Sequence, residues 1–359
     1  MISGSNQAGF SLVELMVAVT LGMLIMLVLS AAMVSSSQAR RETDQASRQV
    51  ENGRYAMQIL SDDLALAGYY SEFDPWPLPT PAAKPDPCAT SVASLKTAMP
   101  LHVQGYDNPT ATTIASLTCL SDVRPGVDIV VIRRTSSCVA GSTGCDVFVG
   151  GTTQPYFQAS LCASATELDS ALTSDYYAMD TAAAGLIKHK RDCTTLADFH
   201  RFVTRIYFVA NNDNPGDGIP TLKRAELGAT GFSIVPLVEG IENLQLEYGL
   251  DNGATTDGAP HVFTADPDGY TGAGAAGATG NWRNVVALRV NLLARNTEIT
   301  PGYNDGKVYT LGHNADASAN TCSPGSSALP ALCSGVAYKR HAFTAQVRMT
   351  NPAERGVTP

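Results

Sequence analysis

Apolar and polar residues are distributed along this chain in three regimes, and each change of regime predicts a change of element. From Phe10 to Val34 runs FSLVELMVAVTLGMLIMLVLSAAMV, 25 residues in which Glu14 is the only charge. By length alone this predicts a helix able to cross the ~30 Å hydrocarbon core of a bilayer. A cleavable secretory signal has an apolar region of roughly 7–15 residues behind a basic start, whereas this run is longer and carries a carboxylate near its beginning. From Ser35 to Ala67 the sequence turns polar but keeps a helical rhythm, with Ala46, Val50, Met57, Leu60, Leu64 and Ala67 at spacings of three, four and seven. That stripe predicts packing on a globular domain. Gly68 offers a C-terminal cap, so one continuous helix of about 55 residues is expected, with Gly22 and Gly53 as places for it to bend.

Beyond Gly68 the chain is rich in Pro, Gly, Ser, Thr and Ala, and the six prolines between Pro75 and Pro87 exclude regular helix or central strand there. Strand patterns follow at Asp128 to Arg133, Phe202 to Ala210, Leu237 to Tyr248, Val285 to Leu293 and Phe343 to Met349. In the last of these the alternation turns Phe343, Ala345, Val347 and Met349 inward and Thr344, Gln346 and Arg348 outward. A long helix followed by strands predicts an α+β fold.

Composition narrows the function. At 359 residues the chain is long enough for a substantial core, and its net charge of −9 argues against a nucleic-acid partner, whose affinity comes from Lys and Arg neutralising phosphates. Eight cysteines, all beyond residue 87 and without a C-x-x-C pair, fit disulfides formed outside the cytoplasm better than a metal site. Proximity in sequence favours Cys138 with Cys145, Cys322 with Cys333, Cys88 with Cys119, and Cys162 with Cys193.

Glu14 is the anomaly within the apolar run. An acidic side chain inside a spanning helix costs about 2.5–3.5 kcal/mol on insertion scales and calls for a partner. Cleavage between Gly9 and Phe10 supplies one, an α-amino cation one helical turn away in the same chain or in a neighbour. The alternative is a carboxylate at headgroup level that complements the helix dipole.

The octet Gly9-Phe10-Ser11-Leu12-Val13-Glu14-Leu15-Met16 resembles the processing site of type IV pilins and type II secretion pseudopilins. The resemblance implies that a prepilin peptidase cuts after Gly9 and methylates the new terminus Phe10, and that Glu14 pairs with a terminal amine during assembly. Glu51-Asn52-Gly53-Arg54-Tyr55-Ala56 with Leu64-Ala65-Leu66-Ala67-Gly68-Tyr69 is similar to PilW-type minor pilins, as are the segments at 217–224, 239–249 and 282–290. On this resemblance residues 1–9 are a leader and 10–34 a transmembrane and assembly helix. Residues 35–68 are its amphipathic continuation, and 69–359 an exported pilin domain with a loop-rich, disulfide-stapled variable insertion at about 75–200. The pilin-like fold is expected, a helix packed on an antiparallel sheet, in a single-pass protein of the bacterial inner membrane with its globular domain in the periplasm. The partners implied are the prepilin peptidase, other minor pilins, the major pilin and inner-membrane lipid. The function implied is initiation or assembly of a type IV pilus at the cell surface; a secretion pseudopilin and a pilus-tip adhesin or DNA-uptake subunit are the alternatives. One departure stands out: the leader MISGSNQAG has no Lys or Arg, whereas Arg40 and Arg41 lie beyond the span.

No catalytic constellation is present. Gly272 to Gly277 fits G-x-G-x-x-G but follows no strand and reads as a flexible loop. The six histidines are scattered without H-E-x-x-H and read as surface or packing residues, and there is no G-x-S-x-G turn. The acidic loops Asn211 to Asp217 and Asp251 to Asp268 lack EF-hand spacing and read as solvated turns. Lys188, Lys190 and Arg191 read as a solvated face. No enzyme activity, cofactor or metal is expected.

Overall fold

The computed structural model describes Gly9, residues 11–325, Cys333 and residues 335–355. The chain divides into two compact units, one ending at Arg48 and the other starting at Gln49. Helix α1, Leu12–Ala65, contributes to both. It is the single helix that the two hydrophobic regimes predict. Its end is set locally: Leu66 and Ala67 close tight turns on Asp63 and Leu64, and Gly68 takes φ +74° while its N–H donates to Arg133 O at 3.0 Å. The helix continues through Gly53, which lies under an aromatic ring, where an added Cβ would stand 2.1 Å from Phe343 Cε2.

In the second unit, after the short helix α2, Val92–Ala98, an antiparallel seven-stranded sheet forms from β1, Val103–Tyr106; β2, Ile129–Val139; β3, Tyr156–Ala159; β4, Tyr177–Asp180; β5, Phe199–Ala210; β6, Thr221–Gly228; and β7, Gly231–Glu239. β5 is its hub, paired with β2, β3 and β6. A four-stranded antiparallel sheet follows, made of β8, Ile241–Leu250; β9, Val262–Thr264; β10, Val285–Arg295; and, after the small hairpin of β11, Tyr309–His313, and β12, Ala319–Cys322, the last strand β13, Arg340–Arg348. Its order is β13-β10-β8-β9. Together with the helix these sheets make an α+β fold.

The sequence pattern reads 237–248 as one strand, and the structure breaks it in two. Gly240 adopts φ +75°, and a Cβ there would approach Arg295 O to 2.7 Å. The chain therefore leaves the seven-stranded sheet at Glu239 and enters the other at Ile241. The segment 75–200, expected as a loop-rich insertion, also supplies β1 to β4. Of these only β2 has a legible pattern, and it is buried on both faces: Val130 and Ile132 pack with the helix, and Ile129 and Val131 pack beneath Leu117 and Val123. A separate aromatic cluster of Tyr70, Phe73, Phe157, Tyr177 and Phe202 fills the space beside β3.

The main core lies between α1 and both sheets. Ala56, Leu60, Leu64 and Ala67 sit fully buried among Val130, Tyr207, Leu244, Leu288 and Leu292. β13 alternates as its sequence predicts, with Val347 and Met349 buried and Thr344, Gln346 and Arg348 exposed. Disulfides join Cys88 to Cys119, Cys138 to Cys145, Cys162 to Cys193 and Cys322 to Cys333, with Cα separations of 5.4, 5.7, 4.9 and 5.7 Å. Among the described residues no cysteine is free.

Candidate processing and assembly site

Gly9 lies just before α1, and a Cβ built on it meets nothing within 4 Å. Among the described residues nothing packs where a side chain at Gly9 would stand. Phe10 lies outside the described residues. At the helix start Ser11 and Glu14 bond reciprocally: Glu14 N donates to Ser11 Oγ at 3.2 Å, and Ser11 N donates to a Glu14 carboxylate oxygen at 3.0 Å. This is a capping box, S-x-x-E, which satisfies two N–H groups that a helix terminus leaves orphaned. The sequence reading passed over Ser11, although the S-x-x-E spacing was there to be read. The box also gives the lone carboxylate of the apolar run a local set of donors.

From Leu12 to Val34 every residue of this helix is exposed among the described residues. Leu12 and Met33 are each 74% exposed, and Leu15, Leu24, Leu27 and Leu29 are also exposed. The helix is long and apolar enough to cross a membrane, and its most apolar window has no buried residue. An unbroken apolar surface of this size in water would drive association, so it needs lipid or other helices around it. Gly22, like Gly9, has open space where a Cβ would go. Thr20, the polar residue nearby, turns its hydroxyl back to Met16 O and Val17 O at 3.0 and 2.9 Å, which leaves no unmet donor for an apolar medium.

The helix is fixed in the second unit by polar groups that the sequence reading did not single out. Gln49 is buried, and its Nε2 donates to Ala294 O and Lys339 O at 2.8 and 2.9 Å. Asn52 Nδ2 donates to Glu239 O at 3.1 Å. Asp63, 3% exposed, receives Arg134 Nε at 2.9 Å, Arg205 Nη1 at 3.0 Å and the Tyr207 hydroxyl at 2.8 Å. Arg205 and Arg201 continue the chain of charge to Glu226, each with a 2.9 Å contact. Burial alone pushes the Arg205 guanidinium down, but Asp63 and Glu226 together outweigh it and hold it above the ordinary range. Burial, with the charge of Asp63, pushes the Tyr207 hydroxyl up, so it stays a donor. The signal for Asp63 was available: it falls in register with Leu60, Leu64 and Ala67, where a carboxylate must be buried and therefore paired.

A second ionic knot sits in β8, in one of the segments similar to PilW-type sequences. Glu242 is fully buried and accepts from Arg340 Nε at 2.6 Å, with Arg295 and Arg124 at 3.6 and 3.7 Å. Arg340 also donates to Asp305 at 3.0 Å.

The remaining motifs have structural roles. The 272–277 loop, read from sequence as a flexible loop, leads into a helix, but α3, Ala278–Arg283, is six residues long and no strand runs directly into the loop. Asn281 ties that loop down, accepting from Ala276 N and donating to Pro267 O and Tyr270 O. Lys188 is buried and Lys190 pairs with Asp198 at 3.0 Å. In the 211–217 loop the Asp217 carboxylate is taken up by the backbone N–H groups of Asp213, Asn214 and Ile219, which hold it below the usual carboxylate range.

Comparison with known proteins agrees with the two ends of this description. Residues 206–351 match the family described as Type IV Pilus-assembly protein W, and residues 4–30 match the Prokaryotic N-terminal methylation motif. A search of curated proteins by sequence finds no match. Among solved structures, a type IV-like pilin from Thermus thermophilus is similar at 13% identity and a TM-score of 0.26, over 64% of this chain and 81% of that one.

Proposed function

With a type IV pilin-like protein of the PilW type as the premise, we propose that this chain is a minor pilin that takes part in starting or assembling a type IV pilus. Its work is assembly, not catalysis. A prepilin peptidase cuts after Gly9 and methylates Phe10. The helix from Leu12 to Val34 holds the subunit in the inner membrane and then packs against equivalent helices of other minor pilins and the major pilin. Glu14 offers its carboxylate to a terminal amine. The second unit lies in the periplasm and sets partner choice through its surface. The observation that carries this reading is Gly9, with no described residue packed where its Cβ would be, followed after Phe10 by an exposed apolar helix capped by Ser11 and Glu14.

The test is the N-terminus of the mature protein, read by intact mass and terminal sequencing from cells with and without the peptidase. A methylated Phe10 terminus that disappears without the peptidase is expected. An uncut Met1, or a cut near Ala32, overturns the reading. Presence of the processed chain in sheared pili, at a level far below the major subunit, is expected of a minor pilin.

A further inference from the structure

The loop between β8 and β9 has the sequence DNGATTDGAPH, from Asp251 to His261. Leu250 pairs with Val262, so Asp251 and His261 are the next opposed residues at the mouth of this hairpin. His261 N donates to Leu250 O at 2.8 Å, and Asp251 N donates to Asn284 O at 2.8 Å, which fixes both ends. Asp257 reaches back from the loop. The three residues each bring a ligand-capable atom within 4.8 Å of the other two.

The state of the carboxylate oxygens separates this cluster from an ordinary solvated turn. Asp251 is 4% exposed. Its Oδ2 accepts from Gly258 N at 2.9 Å, while its Oδ1 is buried without a hydrogen-bond partner and faces His261 Nδ1 at 3.5 Å. A buried polar atom left without a partner costs about 1–3 kcal/mol, more if charged, and such atoms are rare in folded proteins. Asp257 divides its oxygens in the same way: Oδ1 accepts from Ala259 N at 2.9 Å and Oδ2 faces His261 Nε2 at 3.7 Å. The acidic loop at 211–217 differs, because both oxygens of Asp217 are engaged by backbone. Space for the ring comes from Gly253, where a Cβ would lie 2.7 Å from His261 Cε1 and Nε2.

We propose that Asp251, Asp257 and His261 form a three-ligand site for a divalent first-row transition metal of the zinc type, with solvent completing the shell. Two carboxylates and an imidazole suit such an ion, whereas calcium takes six to eight oxygens that this cluster does not offer. Tetrahedral zinc with bonds of ~2.0–2.2 Å sets its ligands about 3.3 Å apart. Asp251 faces Nδ1 of the His261 ring and Asp257 faces Nε2, and one ion takes only one ring nitrogen, so binding turns the exposed His261 ring and swings the exposed Asp257 carboxylate round to the side of Asp251; one ligand atom of each residue lies within 4.8 Å of the other two. The ion joins both ends of the loop to its middle and keeps at least one coordination position toward solvent, open to water or to a side chain of another subunit.

The test uses the full chain in detergent micelles, stripped with chelator and titrated calorimetrically with zinc chloride and, in parallel, calcium chloride. One zinc equivalent is expected at micromolar or tighter affinity, weakened at least tenfold in both Asp257→Asn and His261→Gln, with calcium at least tenfold weaker than zinc. Asp257→Asn keeps the acceptor for Ala259 and alters an exposed side chain, so an unchanged thermal melt separates loss of the site from loss of the fold. Zinc uptake unchanged in both variants, absence of saturable zinc binding, or calcium bound more tightly than zinc overturns the proposal. So does a His261 that titrates only with protons as an imidazolium between the two carboxylates, with no response to zinc.

Discussion

Two stretches of one helix face opposite environments. Between Leu12 and Val34 the leucines and methionines are exposed, whereas between Gln49 and Ala67 the apolar side chains Ala56, Leu60, Leu64 and Ala67 are fully buried. The first stretch is apolar all round and carries one charge. The second is striped, and the single acid in its stripe, Asp63, is met by two arginines and a tyrosine. The difference teaches that the second stretch is buried by its own unit, while the first leaves its apolar surface for lipid or other helices to cover.

Four predictions break or sharpen that contrast. The largest effect belongs to the two carboxylates. Asp63→Ala leaves Arg134 and Arg205 buried without their anion and lowers the stability of the second unit by about 3–5 kcal/mol. Glu14→Ala leaves that stability unchanged but cuts incorporation into sheared pili while membrane insertion persists. Urea melts followed through buried Trp282, with immunoblots of sheared fractions, measure both; equal incorporation of the Glu14 variant removes its assembly role. Next come matched leucines: Leu60→Ala costs about 2–5 kcal/mol through the cavity it leaves, and Leu24→Ala changes the same melt by less than about 0.5 kcal/mol. A comparable loss from Leu24→Ala would mean that the first stretch is covered by its own chain.

Smaller again is Gly53→Ala, whose added methyl meets the Phe343 ring and costs about 1–3 kcal/mol. Combined with Phe343→Ala it is less damaging than the sum of the two, as contacting pairs are. The last is a pH dependence confined to the second unit. Burial, with the charge of Asp266 beside it, raises Asp107 to about 6. The fold therefore binds this proton more tightly than the unfolded chain. This group's contribution to stability grows as pH falls from about 6 toward about 4 and is lost above about 6. Asp107→Asn flattens the slope in that window, as urea midpoints at closely spaced pH values will show.

Much of this architecture could be read from residue order. The span, the stripe ending at Gly68, and β2, β5, β10 and β13 all have periodicities long enough to survive without tertiary context. β1, β3 and β4 do not, because four residues carry too little pattern and their partners lie far away in sequence. The break at Gly240 was hidden because apolar residues continue on both sides of it; only the approach of Arg295 O makes the glycine necessary. At the candidate processing site Gly9 and Glu14 are proposed from the motif alone, while Ser11 was missed because a cap is recognised by two bonds and not by one residue. Glu242 was missed because a charge reads as surface until the strand that carries it is known to be buried, and Asp63 because its stripe was read from the apolar members alone.

The four disulfides close segments with sequence separations of 31, 7, 31 and 11 residues. Held at its two ends and stretched, a polypeptide lengthens by about 3.3–3.6 Å for each residue it releases. Each 31-residue loop thus withholds on the order of 100 Å of contour length even after its strands have parted. A subunit built this way yields less slack under tension than the same chain with its disulfides reduced.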